Sequence, residues 1–371
     1  MSGPARQLVL LGAGHAHVQV LARMAQSPWA GAQITLVAPH GRQLYSGMVP
    51  GFVAGHYALD DCVIPLEPLV RRSGIRWLQH SVCGLDAQTQ RVQLDDGGEL
   101  AYDWLSINTG PVQSRAQLEQ AMPGARAHGL FLRPIEAFAT LWPQVVQMGQ
   151  SRGLRIAVVG AGAAGMELAM AMRQRLPNAA ITLLCGTMAV GAGYNPAVQS
   201  KLHAALLKRR ITLLPDTAVG LRSGEVLLGS GATLACDVPL LATGAQAPQW
   251  LQHSGLALDA QGFVAVDGYQ RSTSHPQVFA AGDVSSRTDR ALARSGVYAV
   301  RAGPVLAHNL AASLNGTALR PHQPPAHTLN LISCGKGFAI ASWGRRSAQG
   351  RWVWWLKDWI DRRFVSRLRR S

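Results

Sequence analysis

The chain has 371 residues, of which 48% are hydrophobic and 15% charged, and its 39 glycines and 20 prolines are dispersed rather than gathered in one tract. That composition excludes a disordered chain or a low-complexity array and allows two domains, or a little more, with sizeable cores. The formal net charge of +15 raises nucleic acid and anionic membranes as partners, yet no paired Cys/His finger or aromatic-rich ribonucleoprotein strand accompanies it, so no nucleic-acid partner is expected.

At the N-terminus the apolar run LVLLGAGHAH is too short, and too soon interrupted by glycine, for a signal sequence. Residues 7–11 (QLVLL) read as a buried parallel strand and the following VQVLARMAQ as a helix, with Gly12 and Gly14 in the turn between them. Gly12 makes the turn tight, and Gly14 lets the backbone approach a pyrophosphate held at the helix N-terminus. The third glycine position of such a turn carries His17. His15 and His17 stand two residues apart, a spacing that points their side chains away from each other, so they are expected to pack over an adenosine or pyrophosphate rather than to bind a metal. The next strand of this unit, ITLV at 34–37, ends in Val37-Ala38-Pro39 without the acid that grips a ribose.

The same grammar returns at 155–159 (RIAVV), where Gly160, Gly162 and Gly165 are all present ahead of MELAMAMRQRL. Its second strand, AITLL at 180–184, runs into Leu184-Cys185-Gly186, again without Asp or Glu and without an arginine for a 2′-phosphate, so NADH and NADPH both stay open. Two such units imply two dinucleotide sites. Cys62, Cys83, Cys185, Cys236 and Cys334 form no CxxC or CxxxxC pair, which predicts reduced cysteines in a cytoplasmic protein and no metal site. No uninterrupted apolar stretch reaches the ~18 residues that span a bilayer. The C-terminal stretch 351–370 mixes four tryptophans with six arginines and Lys357. At helical spacing Trp352, Val353, Trp355, Leu356, Trp359, Ile360 and Phe364 share one broad arc into which Arg363 and Arg367 intrude. Such a helix suits an anionic membrane interface, peripheral on the inner face of the cytoplasmic membrane, or else covers the body of the protein or a homodimer partner.

Phe279-Ala280-Ala281-Gly282-Asp283-Val284 resembles the FAD-closing motif of the pyridine nucleotide-disulfide oxidoreductase superfamily. The resemblance implies that Gly282 and Asp283 meet the flavin's ribityl chain; the competing reading is an aspartate capping the next helix. Asn108-Thr109-Gly110 and Ala242-Thr243-Gly244 look like the superfamily's strand ends at domain crossovers, which places Thr109, Gly110, Thr243 and Gly244 at the cofactors. Within the superfamily the chain is most similar to type II NADH dehydrogenase-like proteins, and more narrowly to the flavoprotein domain found fused to selenide, water dikinase. The marks are GAGHAHV, Tyr45-Ser46-Gly47-Met48-Val49-Pro50-Gly51, GVYAVRAGPVLAHNL and GRWVWWLKDWIDRRF.

The resemblance implies an α/β fold of two Rossmann-like dinucleotide-binding domains and a C-terminal helical tail. FAD would bind the domain formed by 1–113 and 262–325 and NAD(P)H the domain at 114–261, with a strand and amphipathic tail at 326–371. Tyr45, Ser46, Met48 and Pro50 would lie beside the flavin ring, where disulfide reductases keep a cysteine pair that is missing here. Glu167 matches a glutamate near the nicotinamide and flavin rings, though a helix first-turn acid would look the same. Tyr298 and Arg301 fall on the helix that presents residues to flavin and acceptor, and Arg301 equally fits a solvated face. The implied activity is hydride transfer from NAD(P)H to FAD and on to a quinone or other small acceptor. The alternatives are oxidation of a sulfur or selenium compound through Cys62 or Cys334, and a non-catalytic FAD-holding redox partner or sensor.

Overall fold

The computed structural model describes residues 6–371. Apolar runs too short for helices, and buried on both faces, make its parallel strands. One five-stranded parallel sheet has the order Val278–Ala280, Trp104–Ile107, Arg6–Leu11, Ala32–Val37, Arg76–Leu78. A second has the order Leu130–Phe131, Val238–Leu241, Arg155–Val159, Ala180–Leu184, Thr212–Leu214. In each, the strand that enters a glycine turn lies centrally. Its successor pairs on one side and a strand from much later in the chain on the other. That reversal of strand order opens a crevice at the carboxyl ends, where doubly wound sheets bind ligands.

The chain's two crossings between the units lie together. Val112 and Gln246 exchange backbone hydrogen bonds of 2.9 Å in both directions, side by side as the chain leaves the first unit and returns to it. The return thus precedes residue 262: Leu251 and Leu256 already share a core with Leu85, Val92 and Val264 of the first unit. The largest core is continuous across the seam, running from Met48, Val49 and Val53 to Met166, Leu168 and Met170.

Beyond residue 326 the single expected strand is a three-stranded antiparallel sheet, Leu329–Ser333, Ala339–Trp343 and Arg346–Gly350, followed by the helix Arg351–Arg370. This helix buries Val353, Asp361, Phe364, Val365 and Leu368. Trp352, Trp355 and Trp359 turn outward and stay 55%, 59% and 57% exposed. The arc that grouped Phe364 with these tryptophans is therefore split: packing selects the Val353–Phe364–Leu368 row, and the indoles face away with Arg363. Among the described residues no helix is long and apolar enough to cross a membrane.

Candidate functional site

The first glycine turn is built by close approach. Gly12 has φ +81°, and a Cβ there would fall 2.6 Å from the Thr109 Cα; one on Gly14 would meet the Asn108 carbonyl oxygen at 2.5 Å. Asn108 stands at a crossover strand end, and its side chain does more. Its Oδ1 accepts from the Ala16 and His17 backbone N–H groups at 3.0 and 3.1 Å, and its Nδ2 donates to the Ala281 carbonyl at 2.6 Å. It thereby ties the N-terminus of the first helix to the Gly282-Asp283 turn. Gly282, at φ +74°, is needed because a Cβ would stand 2.8 Å from that same Nδ2.

These two distant stretches share one cleft of about 520 Å³, lined by Gly12, Gly14, His15, Ser46, Thr109, Gly110 and Asp283. Asp283 does not cap the next helix, which starts at Gly296 behind Ser295. Burial lifts its carboxyl above the usual range, with Arg133 and Arg294 pulling the other way. Arg133 reaches the cleft from the segment before the half-buried helix Ile135–Ser151, and no motif announces it; Arg42, Arg115, His40 and His80 add further cationic or polar lining. Where a ribose-gripping acid would stand there is thus a basic rim, which suits a pyrophosphate. His15 lines the cleft, its Nε2 3.4 Å from the Ser46 N and Oγ, and burial with the nearby Arg133 lowers its pKa to about 4.

Four expected cleft residues lie elsewhere. His17 is fully buried in the core, with Nδ1 2.5 Å from the Gly12 carbonyl and Nε2 2.8 Å from Ser106 Oγ. The imidazole spans the space a third glycine would close, so it organises the turn from beneath instead of touching adenosine. Met48 and Pro50 are buried behind the cleft in the seam core. Tyr45 turns its ring toward Phe364 and His15, at 4.8 and 5.2 Å between centroids, and hydrogen-bonds Asp361.

Asp361 belongs to the second feature, a polar group pressed between the two units by the C-terminal helix. Lys357 Nζ donates to Asp361 at 2.7 Å and to the Gly47 carbonyl at 2.8 Å. Burial would lower the Lys357 pKa, but Asp361 and Glu167 outweigh it and keep the amine charged. Glu167 accepts from the Ser333 N–H at 2.7 Å, and its pKa is pushed up to about 7 by burial, with Lys357 opposing. Sequence reasoning placed Glu167 at the flavin–nicotinamide junction but missed Lys357 and Asp361, because a tail with exposed tryptophans gave no sign that its inner face carries an ion pair. Tyr298 stands on the far side of Asp283 in a smaller chamber, and Arg301 is solvent-exposed on its helix.

A glutamate whose folded pKa is raised contributes stability that is complete below its ordinary value of 4.5 and lost as pH climbs through about 7. Glu167→Gln should therefore flatten the fall in stability on the alkaline side, gaining up to about 3 kcal/mol above pH 7 and nothing near pH 4. Urea melts from pH 4 to 9 decide it: parallel curves for both proteins would mean that Glu167 is not a buried acid.

At the second turn Gly160 has φ +112° and Gly165 packs directly on the Gly160 carbonyl, while Gly162 caps the helix Ala163–Arg175. A Cβ on Gly160 would come within 3.4 Å of the Thr243 N; around Gly162 and Gly244 there is open space. Gln113 bridges to this side by donating to the Leu241 carbonyl at 2.9 Å while accepting from the Arg133 N–H at 2.8 Å.

A model of the pyridine nucleotide-disulphide oxidoreductases matches residues 6–309. The ferredoxin–NAD(+) reductase component of the p-cumate 2,3-dioxygenase system of Pseudomonas putida is 30% identical over 76% of this chain and 68% of its own. An NADH dehydrogenase-like protein of Mycobacterium tuberculosis is 26% identical over 62% of this chain and 60% of its own. Demethylphylloquinone reductase of Synechocystis is 24% identical, with 88% and 84% covered. In fold, NDH2 from Plasmodium falciparum, solved with NADH, superposes with a TM-score of 0.80 at 12% identity over 98% of this chain and 97% of its own.

Proposed function

Because the chain belongs to the pyridine nucleotide-disulphide oxidoreductase family, and as such is an FAD-dependent, NAD(P)H-linked oxidoreductase, we propose that it passes electrons from the nicotinamide to a quinone at a membrane surface. The observation that carries the flavin site is the convergence of the Gly12–Gly14 turn and Asp283, held by Asn108, on one cleft. Its charge fits the group: the positive end of the first helix and the Arg133 guanidinium suit a pyrophosphate, and Asp283 suits hydroxyls. When bound, FAD supplies two-electron hydride chemistry. In this reading the chain's own residues do the rest. The turn at Gly160–Gly165, with Thr243 and Gly244, seats the nucleotide. Glu167, poised near neutrality, holds or releases a proton between the units, and Lys357 keeps a positive charge beside Gly47.

The thiol route has little support. Cys62 is buried with its Sγ toward the Ala58 carbonyl, and its pKa is pushed up to about 12 by burial and Asp61; Cys334 is likewise pushed up to about 12 by burial and Glu167. Thiols held in the protonated form are poor nucleophiles, so direct transfer through the flavin is favoured over a sulfur or selenium adduct. A visible spectrum of the purified protein followed by anaerobic addition of NADH and NADPH tests the reading. A yellow protein bleached by at least one nucleotide and reoxidised by a soluble quinone analogue is expected. Flavin that neither nucleotide bleaches would instead favour a non-catalytic FAD holder.

The outward row Trp352, Trp355, Trp359 and Arg363 favours the membrane over the body of the protein as its contact, since indoles and guanidinium groups suit the boundary between acyl chains and anionic headgroups. Replacing the three tryptophans by serine should weaken binding to phosphatidylglycerol vesicles about tenfold or more while flavin content stays intact. Unchanged vesicle binding together with a shift from dimer to monomer would assign the row to a second copy.

A further inference from the structure

Behind Asp283, on the side away from the main cleft, a narrow chamber is walled by Gln270, Arg287, Arg294, Tyr298 and His322. Asp283 is the one residue common to its lining and that of the cleft. The chamber offers about 50 Å³ to the centres of water molecules, and each needs on the order of 10–15 Å³ by that measure, so a short file of waters fits. Gln270 is 2% exposed and sits at φ +69°, a left-handed backbone unusual for a long side chain. Its Nε2 donates to the Ala302 carbonyl at 3.2 Å, but its buried Oε1 has no partner in the protein. Buried amide oxygens are satisfied by protein or by ordered water, and here only water is left. The cations do not ask for an anion: Arg287 is paired with Asp289 at 2.8 Å and Arg294 with Asp259 at 3.0 Å. His322 is lowered to about 4 by burial and Arg287, which leaves it uncharged at neutral pH. The outer wall, residues 292–294, includes the exposed Ala293 and Arg294 and borders solvent.

We propose that this chamber is a proton port: waters anchored on Gln270 Oε1 carry a proton from solvent to the Asp283 carboxylate at the edge of the flavin cleft. The inference rests on the flavin reading above. Its chemistry requires such a supply. Hydride from the nicotinamide brings its own hydrogen (NADH + FAD → NAD+ + FADH−), but return of the pair to a quinone takes up one proton from solvent (FADH− + Q + H+ → FAD + QH2), as does reduction by an external two-electron donor (FAD + 2 e− + H+ → FADH−). Asp283 is faced by Arg133 from the cleft, with His15 beside that arginine, and by Arg294 from the chamber, where Arg287, Tyr298 and His322 complete the surroundings. Burial keeps its carboxyl easier to protonate than usual despite the two cations, as a relay needs.

The test uses the flavin-loaded protein, with bound flavin photoreduced by an external donor and proton uptake followed by a pH-indicator dye, so that neither nucleotide nor acceptor takes part. Gln270→Leu, which puts hydrocarbon where the anchoring oxygen stood, should slow uptake about tenfold or more with the flavin spectrum unchanged, whereas Gln270→Gly, which opens that place to an added water in the oxygen's stead and suits the positive φ, should stay near wild type. A high-resolution crystal structure of the wild-type protein should show ordered water within hydrogen-bonding distance of Gln270 Oε1. A dry chamber, or equal uptake rates in all three proteins, overturns the port. Protein that purifies without flavin defeats the functional reading itself, a different outcome.

Discussion

Replacing Asn108 by alanine is expected to cost about 3 kcal/mol of stability and to weaken flavin binding at least tenfold. The side chain serves three buried backbone groups at once: the N–H groups of Ala16 and His17 and the carbonyl of Ala281. Alanine leaves all three without a partner, and each such group costs roughly 1–3 kcal/mol when water cannot replace the bond. The cleft side then loses its register, because the helix N-terminus that would face a pyrophosphate and the turn that presents Asp283 are no longer fixed to each other. Asn108→Asp keeps the acceptor but loses the donor, and should fall between alanine and wild type. Thermal melts and the fluorescence of released flavin measure both effects. An alanine variant that keeps its flavin at wild-type affinity would show that the cleft does not depend on this tie.

Asp361→Ala should destabilise the protein by about 3–5 kcal/mol, because it strands the Lys357 ammonium in a site where only 13% of that side chain is exposed. Removing both charges together, as Lys357→Met with Asp361→Leu, should cost markedly less, since a buried pair contributes little net stability once its desolvation is counted. The comparison separates an ion pair from a merely packed helix. If the single and double variants melt alike, Asp361 acts through its hydrogen bond to Tyr45 and not by neutralising Lys357. In the double variant Glu167 also loses its cationic neighbour, so its titration should move further up.

Much of this was readable from the chain alone because it rests on local rules. Two apolar runs entering glycine turns specify two parallel sheets, and Gly12, Gly14, Gly160 and Gly165 occupy positions where a Cβ would collide with backbone. Asp283 could be linked to the first turn only through its resemblance to a known motif, since 269 residues separate it from Gly14 and periodicity is blind to such distances. His17 misled because the side chain that replaces a glycine was assumed to face the same way as the ligand; its two ring nitrogens instead bond Gly12 and Ser106 within the core. Arg133, Lys357 and Asp361 escaped for another reason. An isolated charge near an apolar segment usually marks a solvated face, and only tertiary packing makes it a buried partner. The tail illustrates this: its own spacing specifies a helix, but which side of the helix is wet depends on a sheet and a seam that the tail's own residues do not encode.

The continuous apolar core that runs from Met48 and Val53 to Met166 and Met170 has a mechanical consequence. A large apolar contact between units resists the relative swings that polar contacts permit, and the adjoining backbone pair at Val112 and Gln246 gives the inserted unit no slack tether on which to pivot. The two sheets therefore form one rigid chassis. Traffic of nucleotide and acceptor falls to side chains and short surface segments, and two spectroscopic labels placed one on each sheet would report the same separation with and without bound nucleotide.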